Sequence, residues 1–276
     1  MGLELISPVK LIIQKVEDLT KKKVEFREKN DLTTYAAVKM ARRNMTSHLI
    51  FHKKEHSDLV WHLIAHECGH ILRMYAVSEE KRLIPASDQE TKTLAFTEME
   101  DDIKQMSTYL PIERLTQILN LWFTGTIRQV TNFPPDIMIE KWLYDDYPEL
   151  RSFQLESIKK QHSEAIVGLK EDVRRLTPSK IYDASNIMNY AFFRIIGFHF
   201  QTNFLVPYNQ TPFVQKGKDL AAYTVANYVN DYEGDINMIN YWADYFNLAK
   251  WFRWVGFEDI PADYLSTHQS ENSKEG

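Results

Sequence analysis

Residues 57–77 read SDLVWHLIAHECGHILRMYAV. Leu59, Leu63, Ile64 and Ile71 recur at helical spacing, and Ser57 or Asp58 is a suitable cap, so the stretch predicts a helix from Ser57 to about Val77. Inside it, His66-Glu67-Cys68-Gly69-His70 fits the pattern H-E-x-x-H. Positions i and i+4 project from one helix face a turn apart. Two imidazoles so placed can hold one Zn²⁺ at ~2.0–2.1 Å each. Glu67, beside the first His, can then act as general base on a water activated by the ion and return the proton to the leaving group. Gly69 costs helix stability of ~1 kcal/mol relative to Ala, which predicts close approach of another part of the chain. Cys68 faces away from the histidine pair and reads as a small buried apolar residue.

Working outward, Ser47–His52 reads as a strand preceding this helix, and Lys23–Arg27 alternates as a strand would. Residues 9–20 and 33–44 predict helices. After Ile84-Pro85 the pattern is helical almost throughout: 88–109, 111–130, a helix opening at Pro134-Pro135-Asp136, then 149–175, 183–197, 213–230 and 235–252. The fold class is α+β, mainly helical. A single domain over 1–267 is expected, with a metal-binding core to about 148 and a helical half from about 149. Residues 268–276 form a polar tail expected to be flexible.

The 276 residues carry 33 Lys and Arg against 38 Asp and Glu, a net charge of −5. That balance gives no surplus of cations to neutralise phosphates, so a nucleic-acid partner is not expected. No run approaches the ~18 apolar residues of a membrane helix. Met1–Pro8 shows no basic stretch leading into an apolar run. The one cysteine excludes an internal disulfide and suits a reducing compartment, so the expectation is a soluble cytoplasmic protein without membrane contact.

With its strand–helix order, the H-E-x-x-H segment resembles the zincin metallopeptidases over about residues 45–75. The resemblance implies a zincin-like core, a zinc cofactor, a peptide or protein substrate, and an edge strand before the helix that pairs with extended substrate. A catalytic zinc takes a third protein ligand. His70 is followed by Ile-Leu-Arg-Met-Tyr-Ala, with no further His before His162, which points to the gluzincin arrangement with a Glu as third ligand. Glu140 is the first candidate, because its helical neighbours Ile137, Leu143 and Tyr144 surround a carboxylate with apolar surface. Glu100 or Glu98 is the second, though both sit in an acidic run. Asp136, one turn before Glu140, reads equally as an acid orienting His66 or His70 and as a plain helix-start acid.

His62 extends the same face one turn earlier, too far along for one ion to reach all three histidines. It reads as an ordinary partly exposed histidine, or as support for the site. His48, His52 and His56 read as surface residues near the strand. Tyr144, Tyr190 and His199 could face a developing oxyanion, but aromatic core packing is the preferred reading of each. The C-terminal aromatics, among them Phe192, Phe193, Trp242 and Trp251, read as core. Against a peptidase stands the alternative of a silent zincin scaffold that binds or senses without hydrolysis.

Overall fold

A computed structural model describes residues 4–32, 34–54 and 59–260. The chain is mainly helical with a small sheet. It divides into two compact units, one formed by Met1–Ile84, Met138–Ile158 and Trp254–Gly276, the other by Pro85–Ile137 and Lys159–Arg253. The units therefore interleave along the sequence. The proposed cap at Ser57 or Asp58, His56 and the 268–276 tail lie outside the described residues.

In the first unit α1 (Ser7–Thr20) starts with Pro8 in its first turn and ends at Lys21, whose left-handed backbone lets its N–H donate to the Glu17 carbonyl. Val9, Ile12 and Val16, at i, i+3 and i+7, are fully buried. Three strands follow: β1 (Lys23–Glu28), β2 (Ala36–Lys39) and β3 (Ser47–His52), in the order β1-β3-β2. β3 runs parallel to β1 and antiparallel to β2.

This corrects two expectations. Residues 36–39 form a strand where a helix over 33–44 was predicted. The strand before the H-E-x-x-H helix is the central one, and β1 and β2 form the two edges. Ala36, Ala37 and Val38 are all buried, and pairing with β3 satisfies the backbone groups on one side of the strand. Alanine's modest helix preference is outweighed by that gain.

His48 is also corrected, from surface to core. It is fully buried on β3 and its Nδ1 accepts the Ala41 N–H at 3.0 Å, while Nε2 is buried with no partner. Its ring meets Tyr75 edge-on at 5.3 Å. The Tyr75 hydroxyl donates to the Ala41 carbonyl, and the Arg82 guanidinium lies 4.0 Å over the Tyr75 ring. Lys22 Nζ donates to the carbonyls of Arg42 at 2.6 Å and Met45 at 2.5 Å.

The H-E-x-x-H helix is α2 (Val60–Tyr75), which packs on α1 and against β2 and β3. Gly69 is where the predicted close approach occurs. A Cβ added there would lie 2.6 Å from Ile139 Cγ2 and 3.1 Å from Cγ1. Ile is branched at Cβ and stiff at χ1, so it cannot swing aside. Gly69→Ala should therefore be net destabilising. Overpacking costs ~1–3 kcal/mol, against ~1 kcal/mol gained in helix preference, and pairing it with Ile139→Ala should recover the helix gain. Urea unfolding of the single and double variants measures this; a Gly69→Ala protein more stable than wild type would refute the contact.

After β4 (Leu83–Ala86) come α3 (Gln89–Thr97) and α4 (Glu100–Met106), split where one helix over 88–109 was predicted. Asp88 and Thr91 form a reciprocal capping box at the start of α3. α5 (Ile112–Asp146) is a single helix with Pro134 and Pro135 in its interior, so the prolines do not open a new one. Each removes a backbone donor, releasing the carbonyls of Val130 and Thr131. α6 (Arg151–Ala165), α7 (Glu171–Arg175), α8 (Ser179–His199), α9 (Val214–Asn227), α10 (Tyr232–Tyr245) and β5 (Arg253–Gly256) complete the order, β5 pairing with β4.

In the second unit Phe192, Phe193, Phe200, Trp242 and Trp251 are core, as their spacing predicted, whereas Phe198 is exposed. Phe133 stacks on Phe192 at 4.6 Å and meets Trp242 edge-on at 6.5 Å. Trp242 and Trp251 are fully buried. Tyr190 is buried against Tyr208, whose hydroxyl burial pushes up in pKa. No helix among the described residues is long and apolar enough to cross a membrane.

Candidate metal centre

α2 carries His62, His66 and His70 one turn apart, and the last turns of α5 bring Glu140 against the first two. Helix periodicity accounts for the row on α2, and Ile137, Ile139 and Leu143 account for the depth of Glu140, since all three are buried. Glu140 itself is 2% exposed.

Its carboxylate is held from three directions. His66 Nδ1 donates to Oε1 at 2.8 Å. His62 Nε2 lies 3.1 Å from both oxygens. Gln154, on α6, donates its amide to Oε2 at 2.5 Å and to the Glu140 carbonyl at 2.7 Å. A carboxylate only accepts, so each facing ring nitrogen must carry its hydrogen. Burial pushes the Glu140 carboxyl up, but the His62 ring, by charge and hydrogen bond, and then the His66 ring outweigh it and hold the group well below the usual carboxylate range.

With Nδ1 of His66 committed as a donor, its Nε2 presents a lone pair. That atom lies 3.2 Å from Nε2 of His70. Two ring nitrogens this close must either share a proton or share a cation. An ion at ~2.0–2.1 Å from each, in tetrahedral geometry, sets them about 3.3 Å apart. The buried charge of Glu140 needs compensation, and no Lys or Arg pairs with it among the described residues. A cation on the far side of His66 would supply that compensation through the ring. On donor type, spacing and charge these residues could hold a metal ion.

The structure thus brings His66, His70 and Glu140 into one row, though not around one point. Glu140 faces the Nδ1 edge of His66 and His70 faces the Nε2 edge. The two lone-pair directions of an imidazole diverge, so in this arrangement Glu140 lies behind His66 and does not face the His66–His70 pair. His62, His66 and Glu140 also group closely enough to be a second possible donor set, but Gln154 and the two imidazole N–H groups already saturate that carboxylate. Glu67 is half-buried on α2 beside His66. Cys68 is fully buried, and burial followed by the charge of Glu67 pushes its thiol up, as suits a packing residue.

The alternative acids lie in the second unit. Glu98 is held by Lys180 Nζ at 2.5 Å and by the Trp251 indole N–H at 3.0 Å. Glu100 is exposed in the first turn of α4, and Asp136 is buried on α5 one turn before Glu140. His62, expected to be partly exposed, is 2% exposed.

Gln154 was missed at the level of sequence. Its signal was there: Leu150, Gln154 and Ile158 recur every four residues and all are buried, so this amide interrupts the apolar face of α6. No family model matches the chain, and neither does any curated protein or solved structure.

Proposed function

We infer that the protein is a zinc-dependent hydrolase of peptide or amide bonds, of the zincin type, with Nε2 of His66 and of His70 as metal donors. The observation that carries this reading is the 3.2 Å pair of ring nitrogens, one of them oriented from behind by a buried, ionised Glu140. A carboxylate on the second nitrogen of a ligand histidine sets its tautomer and raises its basicity, the usual support of a zinc site.

Bound there, zinc would lower the pKa of water toward neutrality and polarise a carbonyl. Glu67 takes the proton from the attacking water on its carboxylate and passes it to the departing amine nitrogen. His62 and Gln154 keep Glu140 in place throughout. β2, one of the two edge strands among the described residues and the one that α2 packs against, takes over the role first expected of Ser47–His52. An extended peptide laid along it would use main-chain hydrogen bonds, which favours a peptide or protein substrate over a small amide. A silent binding scaffold has no use for Glu67, which is why hydrolysis is the preferred reading.

Elemental analysis of untagged protein tests the metal. About one zinc per chain is expected in wild type and almost none in His66→Ala or His70→Ala. Equal zinc in wild type and both variants would place any ion elsewhere.

A further inference from the structure

We propose that Gln154 and His62, neither of them a metal donor, act as a clamp on Glu140 that fixes the tautomer and tilt of His66. The inference rests on the metal reading for its purpose but has its own observable in the metal-free protein.

The two grips come from different elements. Gln154, fully buried on α6, spends both amide hydrogens on a single residue, one on the Glu140 carboxylate and one on its backbone carbonyl. Both atoms it faces are acceptors, so the amide has one permitted orientation. His62, one turn before His66 on α2, straddles both carboxylate oxygens at 3.1 Å. Together they occupy the carboxylate so that Oε1 is left aimed at Nδ1 of His66.

The arrangement comes at a cost that packing alone does not explain. Gln154 Oε1 and His62 Nδ1 are buried without partners. Leu or Met at 154 and Phe at 62 would avoid those orphaned atoms. What they would lose is the hold on Glu140. A carboxylate gripped only by His66 could turn about its last torsion, and the His66 ring could then carry its hydrogen on either nitrogen. Only the Nδ1–H form offers a lone pair at Nε2.

The test uses full-length protein with ¹⁵N-labelled histidine, metal-free, at pH 7.5. Long-range ¹⁵N–¹H correlations read the His66 tautomer, and competition with a chromophoric chelator reads zinc affinity. Wild type should show His66 wholly in the Nδ1–H form. Gln154→Met and His62→Phe should each give a tautomer mixture and an affinity loss of about 10- to 100-fold. His62→Gln, which keeps a donor, should restore much of both. Circular dichroism establishes folding, and if Gln154→Met does not fold, the His62→Phe and His62→Gln pair decides. A wild-type tautomer and affinity in both Gln154→Met and His62→Phe would overturn the clamp. A wild type that binds no zinc, but whose His66 tautomer responds to these variants, would overturn the metal reading and leave the clamp standing.

Discussion

Glu67→Gln is expected to keep the full zinc content of the wild type and to lose hydrolysis by about 10²- to 10⁴-fold, the usual share of general acid–base catalysis. The substitution preserves length and shape on a half-buried site of α2 and removes only the ability to take a proton. His66 and His70 lie on either side of it in sequence and make their contacts through other atoms, so the metal donors are untouched. The pair of readouts is what gives the result meaning. Zinc retained with activity lost assigns proton transfer to Glu67. Hydrolysis at the wild-type rate, with zinc retained, would remove Glu67 from that role. Peptides presented in extended form are the substrates on which to measure it, in line with the proposed pairing along β2.

The second large effect concerns stability and lies at β3. Burial, and to a lesser degree the charge of Lys22, pushes His48 down to about 4 from 6.5. The folded state therefore prefers the neutral ring, and the unfolded chain takes up the proton first as pH falls. Above 6.5 this group makes stability independent of pH. Between 6.5 and 4 stability falls, and below 4 the whole difference of about 3 kcal/mol is lost. Protonation at Nδ1 would also break the hydrogen bond from Ala41, with Lys22 close enough to disfavour the added charge. Urea unfolding at pH 7.5 and pH 5 should show about 2 kcal/mol of acid-induced loss from this source. His48→Gln, which retains an acceptor, should lack that component. Identical losses in the two proteins would show that His48 does not titrate in this way.

The helix of the H-E-x-x-H segment was legible from the sequence because two periodic signals coincide there, an apolar stripe and the polar row of His62, His66 and His70. The depth of Glu140 was legible too, since a carboxylate placed among Ile137, Leu143 and Tyr144 must meet a compensating partner there. Its role was less so. Whether a buried acid binds an ion or supports a ligand depends on which edge of His66 it meets, and that is set by how the turns of α2 and α5 align. Strand order was hidden for a similar reason. Ala36–Lys39 suits a helix by composition, and only its pairing with β3, eight or more residues away, makes it a strand. Pro134 and Pro135 predicted a helix start from local chemistry, whereas buried contacts on both sides of them carry α5 through.

Cys68 stands between the two histidines with its sulfur sealed in the core. It is the only thiol in the chain. An alkylating reagent can reach it only in those molecules where α2 has momentarily come away from its packing. The rate of its modification in native buffer therefore counts the openings of that helix, on the chain's own side chain and without a label.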